Sequence, residues 1–123
     1  MAMKYIALKD GISAATAREI SEQYNIPYTL LAKILQKLSK LKLLHSHQGV
    51  KGGYILSKSA EDISLAEIIN AIEPDNQLTE CLQPSSFHSD CTHLNRCVIR
   101  DPLSKLNFEI KSIFNRTKLA QIL

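Results

Sequence analysis

Pro27 divides two helical patterns, and three of the chain's four glycines fall together in one short turn soon after the second pattern. That order leaves few folds open. Thr16-Ala17-Arg18-Glu19 is a capping box, in which Thr16 accepts from the Glu19 N–H and Glu19 reaches back. It predicts a short helix through Ile20 to about Tyr24. Asn25-Ile26-Pro27 breaks this helix, and Pro27 suits the first turn of a new one, where a missing N–H costs nothing. Leu30, Leu31, Ile34, Leu35, Leu38 and Leu41 then recur at spacings of three and four, which predicts an amphipathic helix from Tyr28 to about Leu43. Leu43 to His47 and Tyr54-Ile55-Leu56 read as two short strands joined by Gln48-Gly49-Val50-Lys51-Gly52-Gly53, where glycine permits positive φ and close backbone approach. Ahead of these elements, Met1 to Leu8 reads as the tail of a helix ending at Asp10-Gly11. The expected fold is mostly α with a small β-hairpin wing, a winged helix-turn-helix.

Two helices joined by a tight turn can place the second in the major groove, with its N-terminal polar residues at base edges. Here that side carries Thr29, Lys33, Gln36 and Lys37. Lysine donates to guanine O6 or N7, and threonine contacts a base or a phosphate. Charge agrees with this reading. Residues 1–60 carry nine Lys/Arg against three acids, a net +6, while residues 61–123 carry six against nine, a net −3. The first half is suited to a polyanion and the second is not. A helical hairpin with a solvated lysine surface is the plain alternative, and the helix–turn–helix–hairpin order weighs against it. His45 and His47 read as strand residues beside the wing, with at most a phosphate contact.

In the second half, Ser64-Leu65-Ala66-Glu67 is another capping box, opening a helix that Pro74 stops. Leu65, Ile68, Ile69 and Ile72 are expected to pack it onto the wing domain. All three cysteines follow in one stretch, Cys81, Cys91 and Cys97, spaced C-x9-C-x5-C among Pro, Ser, Asp, Asn and His. That is loop chemistry, not core chemistry. No apolar run approaches the roughly 20 residues that span a bilayer, and Lys4 and Lys9 break up any signal-peptide pattern at the start. The chain is therefore expected in the cytoplasm, with no membrane partner. There, clustered cysteines serve as ligands or sensing thiols more readily than as a disulfide framework. One reading is a metal or cluster site. Zinc is an alternative, with Cys81, Cys91, Cys97 and either His88 or His93 as a tetrahedral Cys3His set. Direct thiol oxidation and an inert, vestigial loop are the others. Leu103, Leu106, Ile110 and Ile113, with Phe114 alongside, make a narrow apolar seam on a long last helix, which reads as a dimer helix. No general base stands beside a ligand pair, and there is no phosphate loop or nucleophile elbow, so an enzyme is not expected. The organisation expected is a winged helix-turn-helix over 1–74, a cysteine-bearing sensor loop over 75–97 and a dimerisation helix over 98–123.

Ala17-Arg18-Glu19-Ile20-Ser21, Ile26-Pro27-Tyr28-Thr29-Leu30-Leu31, Gly49-x-x-Gly52-Gly53-Tyr54, the run Ile63 to Glu73 and the three-cysteine loop together resemble the Rrf-two family of bacterial winged-helix transcriptional regulators. The resemblance covers nearly the whole chain. It implies a homodimeric, DNA-binding repressor on a palindromic double-stranded operator. Its affinity would be controlled by an iron–sulfur cluster, of two-iron or four-iron type, that senses nitric oxide, redox state or iron supply. The implied metal ligands are Cys81, Cys91 and Cys97. Such clusters usually have four ligands. In one branch of the family the fourth is a histidine three residues after the third cysteine, where this chain has Arg100. In another it is a carboxylate near the partner's N-terminus, in a stretch that precedes the position of Met1. His88 or His93 is the local substitute. The residues expected at DNA are Pro27, Tyr28, Thr29, Lys33, Lys37, Gln48, Lys51, Gly52, Gly53 and Tyr54. Gln48 stands where the family usually has an arginine, and Val50-Lys51 replaces a typical Pro-Gly, so Lys51 is expected to carry the wing's phosphate contact.

Overall fold

The order of elements read from the sequence is the order observed. The structure is a computed structural model that describes residues 1–78, 82 and 96–123. Among them run α1 (Ala2–Lys9), α2 (Ala17–Tyr24), α3 (Tyr28–Lys40), β1 (Leu44–His47), β2 (Gly53–Leu56), α4 (Leu65–Ile72) and α5 (Arg100–Arg116), followed by a 3-10 turn over Leu119–Ile122. Cys81, Cys91, His88 and His93 lie outside the described residues.

Both capping boxes close. Thr16 Oγ1 accepts the Glu19 N–H at 3.1 Å while Glu19 Oε2 accepts the Thr16 N–H at 2.9 Å. Ser64 Oγ accepts the Glu67 N–H at 3.2 Å, and Glu67 Oε2 accepts the Ser64 N–H at 2.9 Å. Each box thus satisfies two of the orphan groups at its helix start. Helix α3 begins at Tyr28 as expected, with Pro27 as its N-cap and the Pro27 carbonyl accepting the Leu31 N–H.

The main departure is the end of α3. It stops at Lys40, short of Leu43, and Lys42 turns to φ 58°. The Lys42 N–H returns to the Ser39 carbonyl and the Leu43 N–H to the Leu38 carbonyl, both at 3.0 Å. This is a complete Schellman closure with lysine where glycine is usual. The apolar face is also narrower than the leucine spacing predicts. Leu31, Leu35 and Leu38 are fully buried, whereas Leu30 and Leu41 are exposed.

The core gathers Ile6, Ile20, Leu31, Leu35, Leu38, Leu44, Ile63 and Leu119 from almost every element. Strands β1 and β2 pair antiparallel, from Leu44 opposite Leu56 to His47 opposite Gly53. A third strand-like contact joins them. The Ala15 N–H bonds the Tyr54 carbonyl at 3.0 Å and the Tyr54 N–H bonds the Ala15 carbonyl at 2.7 Å, so the wing is pinned at its base to the segment ahead of α2.

On α4 the fully buried residues are the small ones, Ala66 and Ala71. Leu65, Ile68 and Ile69 are half-buried and Ile72 is exposed. With Leu31, Ile34 and Leu119, Leu65, Ile68 and Ile72 line an apolar groove of about 350 Å³. Helix α5 packs on α4 yet buries none of its side chains fully. Its downstream end returns to the head. The Leu65 N–H reaches the Thr117 carbonyl at 2.9 Å, the Leu119 N–H reaches the Ile63 carbonyl at 2.8 Å, and Leu119 is buried. The segment expected as a dimerisation helix therefore also closes the core of the winged-helix head.

Candidate nucleic-acid interface

The turn between α2 and α3 is fixed by its own side chains. Asn25 adopts the left-handed conformation, φ 52°, which asparagine tolerates better than most residues. The Ile26 N–H bonds the Ser21 carbonyl at 3.1 Å, and the Ser21 hydroxyl donates to the Ile26 carbonyl at 2.7 Å. Behind the turn, Lys9 Nζ meets Glu19 Oε1 at 3.2 Å. The Thr16 N–H, with Lys9 adding to it, holds the Glu19 carboxyl below the usual carboxylate range despite some desolvation. At the second box burial opposes ionisation of Glu67, but Lys58 at 2.6 Å and the Ser64 N–H outweigh it, and that carboxyl is also held low.

With Leu31, Leu35 and Leu38 turned into the core, the opposite side of α3 faces out. It presents Thr29, Lys33, Gln36 and Lys40, spaced four, three and four apart, all exposed and without an acid among them. Pro27 and Tyr28 are exposed at its N-terminal end. Lys37 is set apart from this face. Its Nζ donates to the Ile72 carbonyl at 3.3 Å, satisfying an open carbonyl at the end of α4 and tying the two helices together.

The wing stands beside this face. Gln48, Val50 and Lys51 are exposed at its tip. Gly52 and Gly53 have backbone reasons to be glycine. A Cβ at Gly52 would lie 2.7 Å from the His47 carbonyl oxygen. A Cβ at Gly53, where φ is +150°, would lie 2.7 Å from the Ala15 carbonyl oxygen. Tyr54 is half-buried and held through its main chain by Ala15. His45 and His47 share the other face of β1, exposed, opposite Ile55 and Gly53. Between α3 and the base of the wing lies a cleft of about 250 Å³, lined by Gln36, Ser39, Lys40, Ser46 and Tyr54. Lys40 and Ser46 were not among the residues expected from the sequence. Helical spacing from Lys33 and Gln36 would have found Lys40, whereas Ser46 needed the strand register.

Of the three cysteines, Cys97 is described. It is a free, half-buried thiol three residues before the start of α5. Arg100, the first residue of that helix, is exposed. Among the described residues no three His, Cys, Asp or Glu side chains come together as a metal site, and no helix is long and apolar enough to cross a membrane.

A family model described as "Iron-dependent Transcriptional regulator", Rrf2, matches residues 1–123. The chain is 30% identical over 122 residues to the HTH-type transcriptional regulator IscR of Vibrio atlanticus, covering 99% of this chain and 68% of that one. It is 30% identical over 101 residues to the HTH-type transcriptional regulator NsrR of Oceanobacillus iheyensis, covering 82% and 67%. Among solved structures, CymR, the global cysteine regulator of B. subtilis, superposes with a TM-score of 0.75 at 20% identity, over 98% of this chain and 85% of that one.

Proposed function

The chain belongs to the Rrf2 family of DNA-binding transcriptional regulators and is not an enzyme, and from that premise we propose that it is a homodimeric repressor whose operator affinity is set by an iron–sulfur cluster. The observation that carries the DNA reading is the exposed, acid-free face of α3 beside a wing pinned at its base. In this reading α3 enters the major groove, with Thr29 and Lys33 at base edges, and Lys51 at the wing tip meets the backbone.

The donors fit a cluster in kind, with three thiols in one short stretch. Cys81, Cys91 and Cys97 would hold it. Arg100 offers no lone pair for a fourth position, which leaves His88, His93 or a group from elsewhere. The family description as iron-dependent supports this assignment. When bound, a cluster supplies a cross-link between thiolates that is removed by nitric oxide, oxidant or iron shortage. The chain's own part is positional. Cys97 lies just before α5, whose far end is bonded to the head through Thr117 and Leu119. Restraining or releasing Cys97 biases where α5 leaves the head, and so the separation of two reading heads. A ligand shifts such an equilibrium only by its differential affinity for the two states.

The test is anaerobic purification, iron, sulfide and zinc analysis per chain, and DNA binding by fluorescence anisotropy with and without reconstitution. Stoichiometric iron and sulfide with altered operator affinity are expected. A loaded protein whose affinity matches the unloaded one would sink the sensing mechanism while leaving the DNA reader intact.

A further inference from the structure

Resting on the proposal that α3 and the wing engage duplex DNA, we propose that the cleft between the C-terminal half of α3 and the base of the wing is the seat of one backbone phosphate. Five residues line it, and each carries a side-chain group able to donate a hydrogen bond: the Lys40 ammonium, the Gln36 amide, and the hydroxyls of Ser39, Ser46 and Tyr54. No carboxylate is among them. A phosphodiester offers acceptors and a negative charge, and charge-assisted bonds to it are the strong kind. A volume of about 250 Å³ holds that group with several waters, at about 30 Å³ each.

The backbone positions that carry these donors are fixed before any ligand arrives. Ser46 and Tyr54 are direct partners across the hairpin. Leu44 and Leu56, two residues away on each strand, are buried, so this face of the hairpin is the one turned inward toward α3. Two main-chain bonds to Ala15 fix Tyr54. Gln36 and Lys40 are one turn apart on a helix anchored by Leu35 and Leu38. Fixed backbone leaves only the side-chain rotamers to be ordered on binding. The cleft joins the base-facing stripe of α3 to the wing. A phosphate seated there would set the register in which Thr29 and Lys33 meet the bases, because phosphate contacts position and base contacts specify.

The test uses the full chain and a duplex selected by the wild-type protein from a random library. Lys40→Gln is expected to weaken binding about tenfold on specific and non-specific duplex alike, and to lower the slope of log K against log salt by about 0.9, the value of one lost phosphate contact. Tyr54→Phe is expected to weaken binding several-fold with the slope unchanged. A single neutral methylphosphonate placed along the operator should cost wild-type affinity at one position, and cost Lys40→Gln nothing further there. Lys105→Gln on α5 serves as the net-charge control. If it matches Lys40→Gln, or if no methylphosphonate position couples to Lys40, the seat is overturned and the DNA reading stands. If free inorganic phosphate at constant ionic strength displaces the duplex through Lys40, the cleft serves a free anion and the proposal fails. Absence of any wild-type binding to duplex would instead overturn the DNA reading itself. Circular dichroism melts of each variant establish that the fold is retained.

Discussion

At Gly53 the wing approaches the rest of the head closely enough that a single methyl group matters. A Cβ would sit 2.7 Å from the Ala15 carbonyl oxygen at a φ of +150°, so Gly53→Ala must break the Ala15–Tyr54 pairing or strain the turn. The expected loss is about 2 kcal/mol of stability in urea unfolding, with weaker DNA binding. A loss under about 0.5 kcal/mol would mean that the pin is not what positions the wing. Lys42 is the opposite case. It holds a left-handed conformation at φ 58° that costs an L-residue about 1–2 kcal/mol, and no side-chain hydrogen bond is described for it. Lys42→Gly is expected to raise stability by about 1 kcal/mol. An unchanged or lower urea midpoint would show that the lysine has a partner worth the strain.

At the scale of elements, both capping boxes double as charge sites. Glu19 and Glu67 each hold an N-terminal N–H and a lysine, and both carboxyls titrate below the usual range. A lowered native pKa contributes stability that is present above the unfolded value and lost as pH falls through the native one. Urea midpoints should therefore fall between about pH 5 and pH 3, and the double variant Glu19→Gln, Glu67→Gln should show a flatter profile. Both ion pairs are partly exposed, so salt will shrink the effect. An identical profile in the double variant would place the acid sensitivity elsewhere. In the proposed interface the reading element and the wing are expected to separate by specificity. Lys33→Gln is expected to cost roughly 1–3 kcal/mol on the operator and little on random duplex. Lys51→Gln should lower affinity on any duplex and flatten the salt dependence. Equal weakening by Lys33→Gln on all sequences would demote it to a phosphate contact.

These elements were legible because capping boxes, Pro27 and the glycine turn act locally, through hydrogen bonds between residues three or four apart. The end of α3 was not, because lysine occupies the position where glycine would have marked the stop. The reach of Lys37 to Ile72 and the cleft at Lys40 and Ser46 were hidden for another reason. Each joins residues that only the packed helices and the strand register bring together.

For the whole molecule, the long seam on α5 is the open surface. Leu106 is 47% exposed and Ile113 45%, and no side chain of α5 is fully buried. A second copy laid along it would cover the seam and bring two reading heads to successive turns of a duplex. The pair Leu106→Glu, Ile113→Glu is expected to give a monomer in sedimentation that binds an isolated half-site as before but loses its preference for the palindrome. A variant that stays dimeric would move the interface off α5. The wing carries a different kind of consequence. Its position is fixed by main-chain bonds, from Ala15 to Tyr54 and along the β1–β2 ladder, and among the described hydrogen bonds none uses the side chain of Gln48, Val50 or Lys51. Exposed substitutions at those positions are expected to change folding stability little. In the proposed interface one scaffold could therefore be tuned to hold any duplex more or less tightly by rewriting a few tip residues while α3 keeps its choice of sequence, and a laboratory library confined to residues 48, 50 and 51 is expected to explore that grip with stability held nearly constant.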